Sequence, residues 1–179
     1  MKTKIFYFAA LCFTFMLASC DKTQTFNDQW KVGNEEAFNL TANNPAYSTI
    51  ESQSKAGKIA YKVINNGTGT FSPIFTDKVL VNYTGYYKKD WTKSDTYTDS
   101  EGNLVKNKTV FDSNLDRGPA EFMVNGVADG FATALQHMKV GDKWEVWIPW
   151  QMGYGNTVYG GIPAFTTLVF EIELLEIVK

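Results

Sequence analysis

Apolar and polar positions alternate strictly across residues 167–174, placing Leu168, Phe170, Ile172 and Leu174 on one face of a half-buried strand. The same period of two in residues 142–148 puts Trp144, Val146 and Ile148 together. A glycine-rich loop, residues 153–163, joins these two strands. Ahead of them Phe131, Leu135 and Met138 recur at helical spacing, which predicts one short helix over residues 129–138 with Asp129 as its N-cap. Upstream, Ile59, Tyr61 and Val63 alternate with Ala60, Lys62 and Ile64 before a turn at Asn65-Asn66-Gly67, and Val79, Val81 and Tyr83 share one face of residues 77–86. Residues 110–114 and 120–124 add two shorter β segments. A sheet with one apolar face is most simply buried against the single helix, so the fold class is α+β, with residues 57–179 as the folded domain.

Residues 20–56 read differently. They are polar, rich in Asn, Thr, Gln and Ser, and form a tether or extension in which residues 28–43 carry Trp30, Phe38 and Leu40 at loose helical spacing before the stop signal Asn43-Asn44-Pro45. Composition accommodates a docked helix, a free one or a disordered spacer. Residues 1–19 begin with Lys2 and Lys4, continue through an apolar run that is too short to span a bilayer, and end in small residues, the pattern of an export signal. Leu17-Ala18-Ser19-Cys20 resembles the lipobox of bacterial lipoproteins. That resemblance implies cleavage before Cys20, acylation of Cys20 with a fatty acid such as palmitate, and attachment to a membrane of the bacterial cell envelope on its periplasmic or surface side.

Charge and chemistry narrow the function. The formal charge of −2 becomes −4 once Lys2 and Lys4 leave with the signal, so neither nucleic acid nor an anionic lipid surface is an expected electrostatic partner. Of two cysteines Cys12 leaves with the signal, so no disulfide forms in a mature chain of 160 residues. His137 is the single histidine, a surface residue by its place on the helix, which excludes histidine triads and multi-histidine metal sites; no metal or cofactor is expected. The glycine-rich loop lacks a following Gly-Lys-Ser/Thr and is not a phosphate loop.

Six short motifs, in order, carry a family resemblance. Val81-Asn82-Tyr83-Thr84-Gly85, Phe111-Asp112-Ser113, Val127-Ala128-Asp129-Gly130-Phe131, Met138-Lys139-Val140-Gly141, Tyr154-Gly155 and Ile162-Pro163-Ala164-Phe165-Thr166-Thr167-Leu168-Val169-Phe170 resemble those of FKBP-type peptidyl-prolyl cis/trans isomerases. The resemblance implies a strongly bent antiparallel sheet wrapped around the helix, with an apolar pocket between them. It implies catalytic roles for Tyr83, Phe111, Asp112 and Tyr154, and substrate contacts from Phe122, Val127, Ala128, Phe131, Ile162 and Phe170. Phe131 would be the pocket floor beneath a proline ring. The Ala128 N–H and the Tyr154 hydroxyl would receive substrate carbonyls, and the partners would be proline-containing client polypeptides bound by a monomer.

Three departures from the family pattern, Ala120, Ala128 and Phe131 in place of larger side chains, imply a widened pocket. They support an alternative reading, a weakly active or inactive FKBP-like binding module or chaperone. The 25 residues between Gly85 and Phe111 imply an insertion at about residues 87–109. Its turn at residues 99–103 predicts a hairpin near the pocket rim, or else a tolerated surface excursion. Trp147 falls on the strand face opposite the core stripe and is open to solvent, covered by the insertion or part of a partner surface.

Overall fold

The computed structural model describes residues 26–178; the expected export signal and Cys20 lie outside them. Helix α1 (Phe26–Ala42) is followed by β1 (Ser48–Glu51), β2 (Lys58–Asn65) and β3 (Lys78–Lys88). Then come β4 (Thr96–Thr98), β5 (Leu104–Lys106), β6 (Lys108–Ser113) and β7 (Ala120–Met123), helix α2 (Asp129–Leu135), β8 (Lys143–Ile148) and β9 (Leu168–Val178). Seven strands form one antiparallel sheet in the order β1-β2-β8-β9-β3-β6, with β7 continuing along the edge of β3 that β6 leaves. The expected α+β architecture of a bent sheet around a short helix is the one observed.

The inner face is the one the alternation marks. Val146 pairs with Phe170, Ile148 with Leu168 and Tyr83 with Ile172, and these side chains close over Phe131, Leu135 and Met138. Helix α2 sits close because Gly130 faces β8, where an added Cβ would lie 2.4 Å from Ile148 Cγ2. The helix is shorter than its apolar spacing suggests. It ends at Leu135, and Met138 reaches the core from a turn in which the buried Asp142 carboxylate accepts the backbone N–H groups of Lys139 and Gly67. Asp129 is not the N-cap. Ala128 holds that position with no side-chain cap, and the Asp129 carboxylate turns instead to Ser52 and Ser54.

The outer face is covered as well. Ala60, Trp147, Val169 and Tyr86 stand opposite one another on β2, β8, β9 and β3, and Ala60 and Val169 are fully buried. Helix α1 docks with Trp30, Asn34, Ala37 and Phe38, spaced i, i+4, i+7 and i+8, whereas Leu40 is 75% exposed and takes no part. The start of β9 is therefore buried on both faces and not on one. The sheet also reaches back to Ser48, inside the stretch read from sequence as extension, because β1 completes the edge of β2 through residues 48–51. A polar four-residue edge strand leaves little trace in the hydrophobic pattern.

The insertion forms its hairpin, β4 with β5, but none of its residues lines the inner pocket. It folds toward α1. Buried Asn107 donates to the carbonyl oxygens of Asp90, Lys93 and Ser94 and accepts the Asp90 N–H, holding the base of the insertion together. Trp91 then packs on Trp147 at 4.9 Å between ring centroids, which settles Trp147 as covered by the insertion.

Candidate functional site

Two concavities are each lined by three or more aromatic rings. The larger, about 530 Å³, runs between α1 and the insertion along Trp30, Trp91 and Trp147. Each of these indole N–H groups donates within the protein, to Thr166, Asn34 and Glu145, so this groove is the seam along which α1 docks. The smaller, about 250 Å³, opens on the inner face of the sheet where α2 begins. Its lining is aromatic, and it gathers the chemistry-bearing motifs.

Phe131, on the first turn of α2, is 4% exposed and forms the floor. Phe170 of β9 meets it edge-on at 5.1 Å, Tyr83 of β3 at 6.0 Å and Phe122 of β7 at 6.2 Å. Such edge-to-face pairs each add about 0.5–1.5 kcal/mol beyond burial and fix ring orientations. Gly85 explains why Tyr-Thr-Gly must end in glycine. A Cβ there would lie 2.5 Å from Phe170 and 2.7 Å from Phe111, so only glycine lets both rings cross β3.

The polar edge is built from Asp112 and Tyr83. The Tyr83 hydroxyl donates to Asp112 Oδ2 at 2.6 Å, and Arg117 pairs with Asp112 Oδ1 at 3.1 Å. Burial, followed by the hydrogen bond to Asp112 and its charge, pushes the Tyr83 phenol well above its ordinary range, so it remains a neutral donor. Arg117 was not singled out from sequence, nor was Asn114, which is 3% exposed. Asn114 bridges the gap where β6 leaves β3: its Oδ1 accepts the Tyr83 N–H at 2.7 Å and its Nδ2 donates to Val81 O and Gly118 O. One buried amide thus holds Tyr83 and the segment after Asp112 in register.

Opposite Asp112, Tyr154 enters from the β8–β9 loop. Burial raises its phenol, with the neighbouring Tyr159 and Asp112 adding to the effect. Tyr159, which sequence reasoning missed, lies flat on Tyr154 at 4.4 Å and 15° and extends the wall to the pocket mouth. Its only signal was an aromatic residue among glycines. Val127 and Ala128 complete the rim, and among the described residues the Ala128 backbone N–H has no backbone acceptor.

Two expected residues stand outside the wall. Phe111 packs edge-on to Tyr154 at 6.3 Å and Phe170 at 5.5 Å, bracing them without lining the cavity. Ile162 is buried in the core, its backbone bridged to Tyr159, so it fixes the loop and does not face the pocket. Ala120 likewise does not line the cavity, which leaves Ala128 and Phe131 as the substitutions that shape it. His137 is exposed, with Nδ1 2.8 Å from Thr133 O.

A bent antiparallel sheet wraps one short helix, and the aromatic pocket between them carries one carboxylate, Asp112, and three phenols, those of Tyr83, Tyr154 and Tyr159. The sequence model of the FKBP-type peptidyl-prolyl cis-trans isomerases matches residues 72–175, and the chain belongs to that family. It is 46% identical over 121 residues to the FKBP-type 22 kDa peptidyl-prolyl cis-trans isomerase of Escherichia coli K12, covering 66% of this chain and 50% of that protein. It is 38% identical over 123 residues to the outer membrane protein MIP of Legionella longbeachae, covering 68% of this chain and 45% of that protein. The crystal structure of a peptidyl-prolyl cis-trans isomerase from Pseudomonas syringae pv. tomato superposes with a TM-score of 0.65 at 26% identity, covering 88% of this chain and 99% of that one. The chain spans about half the length of the curated relatives it matches.

Proposed function

We propose that this protein catalyses the cis/trans isomerisation of X-Pro bonds in client polypeptides and so assists their folding in the cell envelope. The observation that carries this is the aromatic cavity of about 250 Å³ floored by Phe131, with Tyr154 and Ala128 in its lining. Rotation about an X-Pro bond makes and breaks no covalent bond; its barrier of about 18–20 kcal/mol is lost amide resonance. No nucleophile is needed. The twisted amide is less polar than the planar one, so a water-poor aromatic pocket favours it, and every ~1.4 kcal/mol of that preference is tenfold in rate. Phe131 receives the proline ring, Phe170, Phe122 and Val127 enclose it, and Tyr154 and Ala128 hold carbonyls on either side. Asp112, fixed by Tyr83 and Arg117, sets the field at the edge.

The test is the rate at which the soluble chain from Asp21 onward isomerises a proline tetrapeptide. Tyr154→Phe removes a hydroxyl with no hydrogen-bond partner among the described residues, so kcat/KM is expected to fall by the value of one hydrogen bond, about 0.5–1.5 kcal/mol or a few-fold, with Tm unchanged. A wild type without turnover that still suppresses client aggregation would establish the binding-module reading instead.

The envelope location rests on the export signal and the lipobox-like Leu17-Ala18-Ser19-Cys20; one relative is itself named an outer membrane protein. Lipid on Cys20 is the anchor in this reading. Cys20→Ser is expected to abolish incorporation of radioactive palmitate and to release the protein from the membrane fraction; a wild type that takes up no label and fractionates as soluble contradicts the anchor.

A further inference from the structure

The connection between β1 and β2, residues 52–57, is folded around two hydroxyls that both end on one carboxylate. Ser52 Oγ lies 2.9 and 3.1 Å from the two oxygens of Asp129, and Ser54 Oγ donates to Asp129 Oδ2 at 2.6 Å. The hydroxyls are 2.7 Å apart. Each also accepts a backbone N–H from its own turn, Ser54 N–H on Ser52 and Ala56 N–H on Ser54. The turn is closed by Ser52 N–H to Gly57 O and Lys55 N–H to Ser52 O. Lys55 sits at φ 65°, a left-handed conformation that a lysine holds only where its surroundings impose it. Ser52 is 2% exposed, so its hydroxyl has no access to bulk water as an alternative.

Asp129 joins this turn to the pocket. It is the first residue of α2, and the residue before it, Ala128, is extended at φ −55° and ψ 144° and lines the cavity. The body of α2 does not need the serines. Gly130, Phe131, Ala132 and Leu135 are held by burial against the sheet, and an acidic residue in a helix's first turn is favoured whether its carboxylate meets a hydroxyl or water. The segment 125–128 has less to hold it: after Val124, which is fully buried, Asn125 and Gly126 are exposed and Val127 and Ala128 half-buried. The serine bonds to Asp129 fix the point at which this segment enters the helix.

We infer that Ser52, Ser54 and Asp129 are positioning residues for the substrate reaction, a clamp that borrows the β1–β2 turn to hold the Ala128 N–H where a substrate carbonyl meets it. The inference rests on the reading above that Ala128 contacts substrate. Because that N–H binds a carbonyl flanking the rotating bond, in ground and transition states alike, loosening it raises KM and leaves kcat.

The experiment compares Ser54→Ala, Ser54→Thr and Asp129→Asn with wild type in the full soluble chain, by steady-state kinetics on a proline tetrapeptide, thermal unfolding, and the NMR resonance of the Ala128 amide in the free protein. Ser54 is exposed, so its loss leaves the fold intact; Asp129→Asn keeps the volume and one acceptor. Expected for Ser54→Ala is a rise in KM of about two- to tenfold, the value of one hydrogen bond, with kcat and Tm unchanged, a displaced Ala128 amide, and recovery of all three in Ser54→Thr. A folded Ser54→Ala with wild-type KM and an unmoved Ala128 amide overturns the clamp, as does a loss that Ser54→Thr fails to restore. Should the wild type show no turnover, the isomerase reading fails separately, and the amide decides the clamp: displacement in Ser54→Ala and Asp129→Asn but not in Ser54→Thr upholds it, and an unmoved resonance sinks it.

Discussion

Phe131→Ala is expected to lower stability by about 3–5 kcal/mol and to abolish binding of proline peptides together with turnover. The ring is 4% exposed and meets three other aromatic rings within 6.2 Å, so truncation removes its transfer free energy and opens a cavity that those neighbours cannot close. Tyr83 is tied to Asp112 and Asn114, and Phe170 is locked across Gly85, so neither can slide into the void. For a chain of this size each kcal/mol shifts Tm by about 2–4 °C, which predicts a fall on the order of 10 °C. Thermal and urea unfolding provide the measurement. A shift of only a degree or two would show that the ring is not the packed floor of the pocket, and retained turnover would show that the reaction takes place elsewhere.

Asn34→Ala is expected to destabilise almost as much from the other side of the sheet, by about 2–5 kcal/mol. Asn34 is 1% exposed, and its Oδ1 accepts both the Thr167 N–H at 2.8 Å and the Trp91 indole N–H at 3.0 Å, while Nδ2 donates to Trp30 O. Thr167 is fully buried, so its N–H loses its partner with no water to replace it, at about 1–3 kcal/mol for each donor left unpaired. This one amide joins α1, the insertion and the start of β9. Its loss should lower Tm and expose α1 to limited proteolysis before the remainder of the domain. An Asn34→Ala protein with unchanged Tm and a protected α1 would mean that the helix rests on the sheet without supporting it.

The family resemblance named the site residues, and the face each one takes was legible because it repeats with the period of the element that carries it. Tyr83 follows Val79 and Val81 at every second position, and Phe170 stands between Leu168 and Ile172, so both had to face the helix that carries Phe131. The glycines were readable as motif positions, but their reason was not: Gly85 and Gly130 are required by Phe111, Phe170 and Ile148 approaching from other elements. Asp129 shows the opposite failure. Its position before an apolar helical stripe is an N-cap signal, yet two serines 75 and 77 residues away compete for its carboxylate and win.

By itself the sequence determined the α+β class, the inner faces of the strands and the short central helix, because period-two and period-3.6 patterns commit each side chain to the core before the chain folds; the aromatic floor and walls of the pocket were expected from the family resemblance of its motifs. Only the tertiary structure decided that residues 48–51 complete the sheet, that α1 docks on the outer face, that Trp91 covers Trp147, and that Tyr159 rather than Ile162 lines the pocket. For α1 and the insertion the physical reason is that their docking depends on polar side chains meeting across long separations, 133 residues for Asn34 and Thr167 and 57 for Asn34 and Trp91. A buried amide or hydroxyl carries no periodic signature; its partner is set by which elements the apolar core has already brought together.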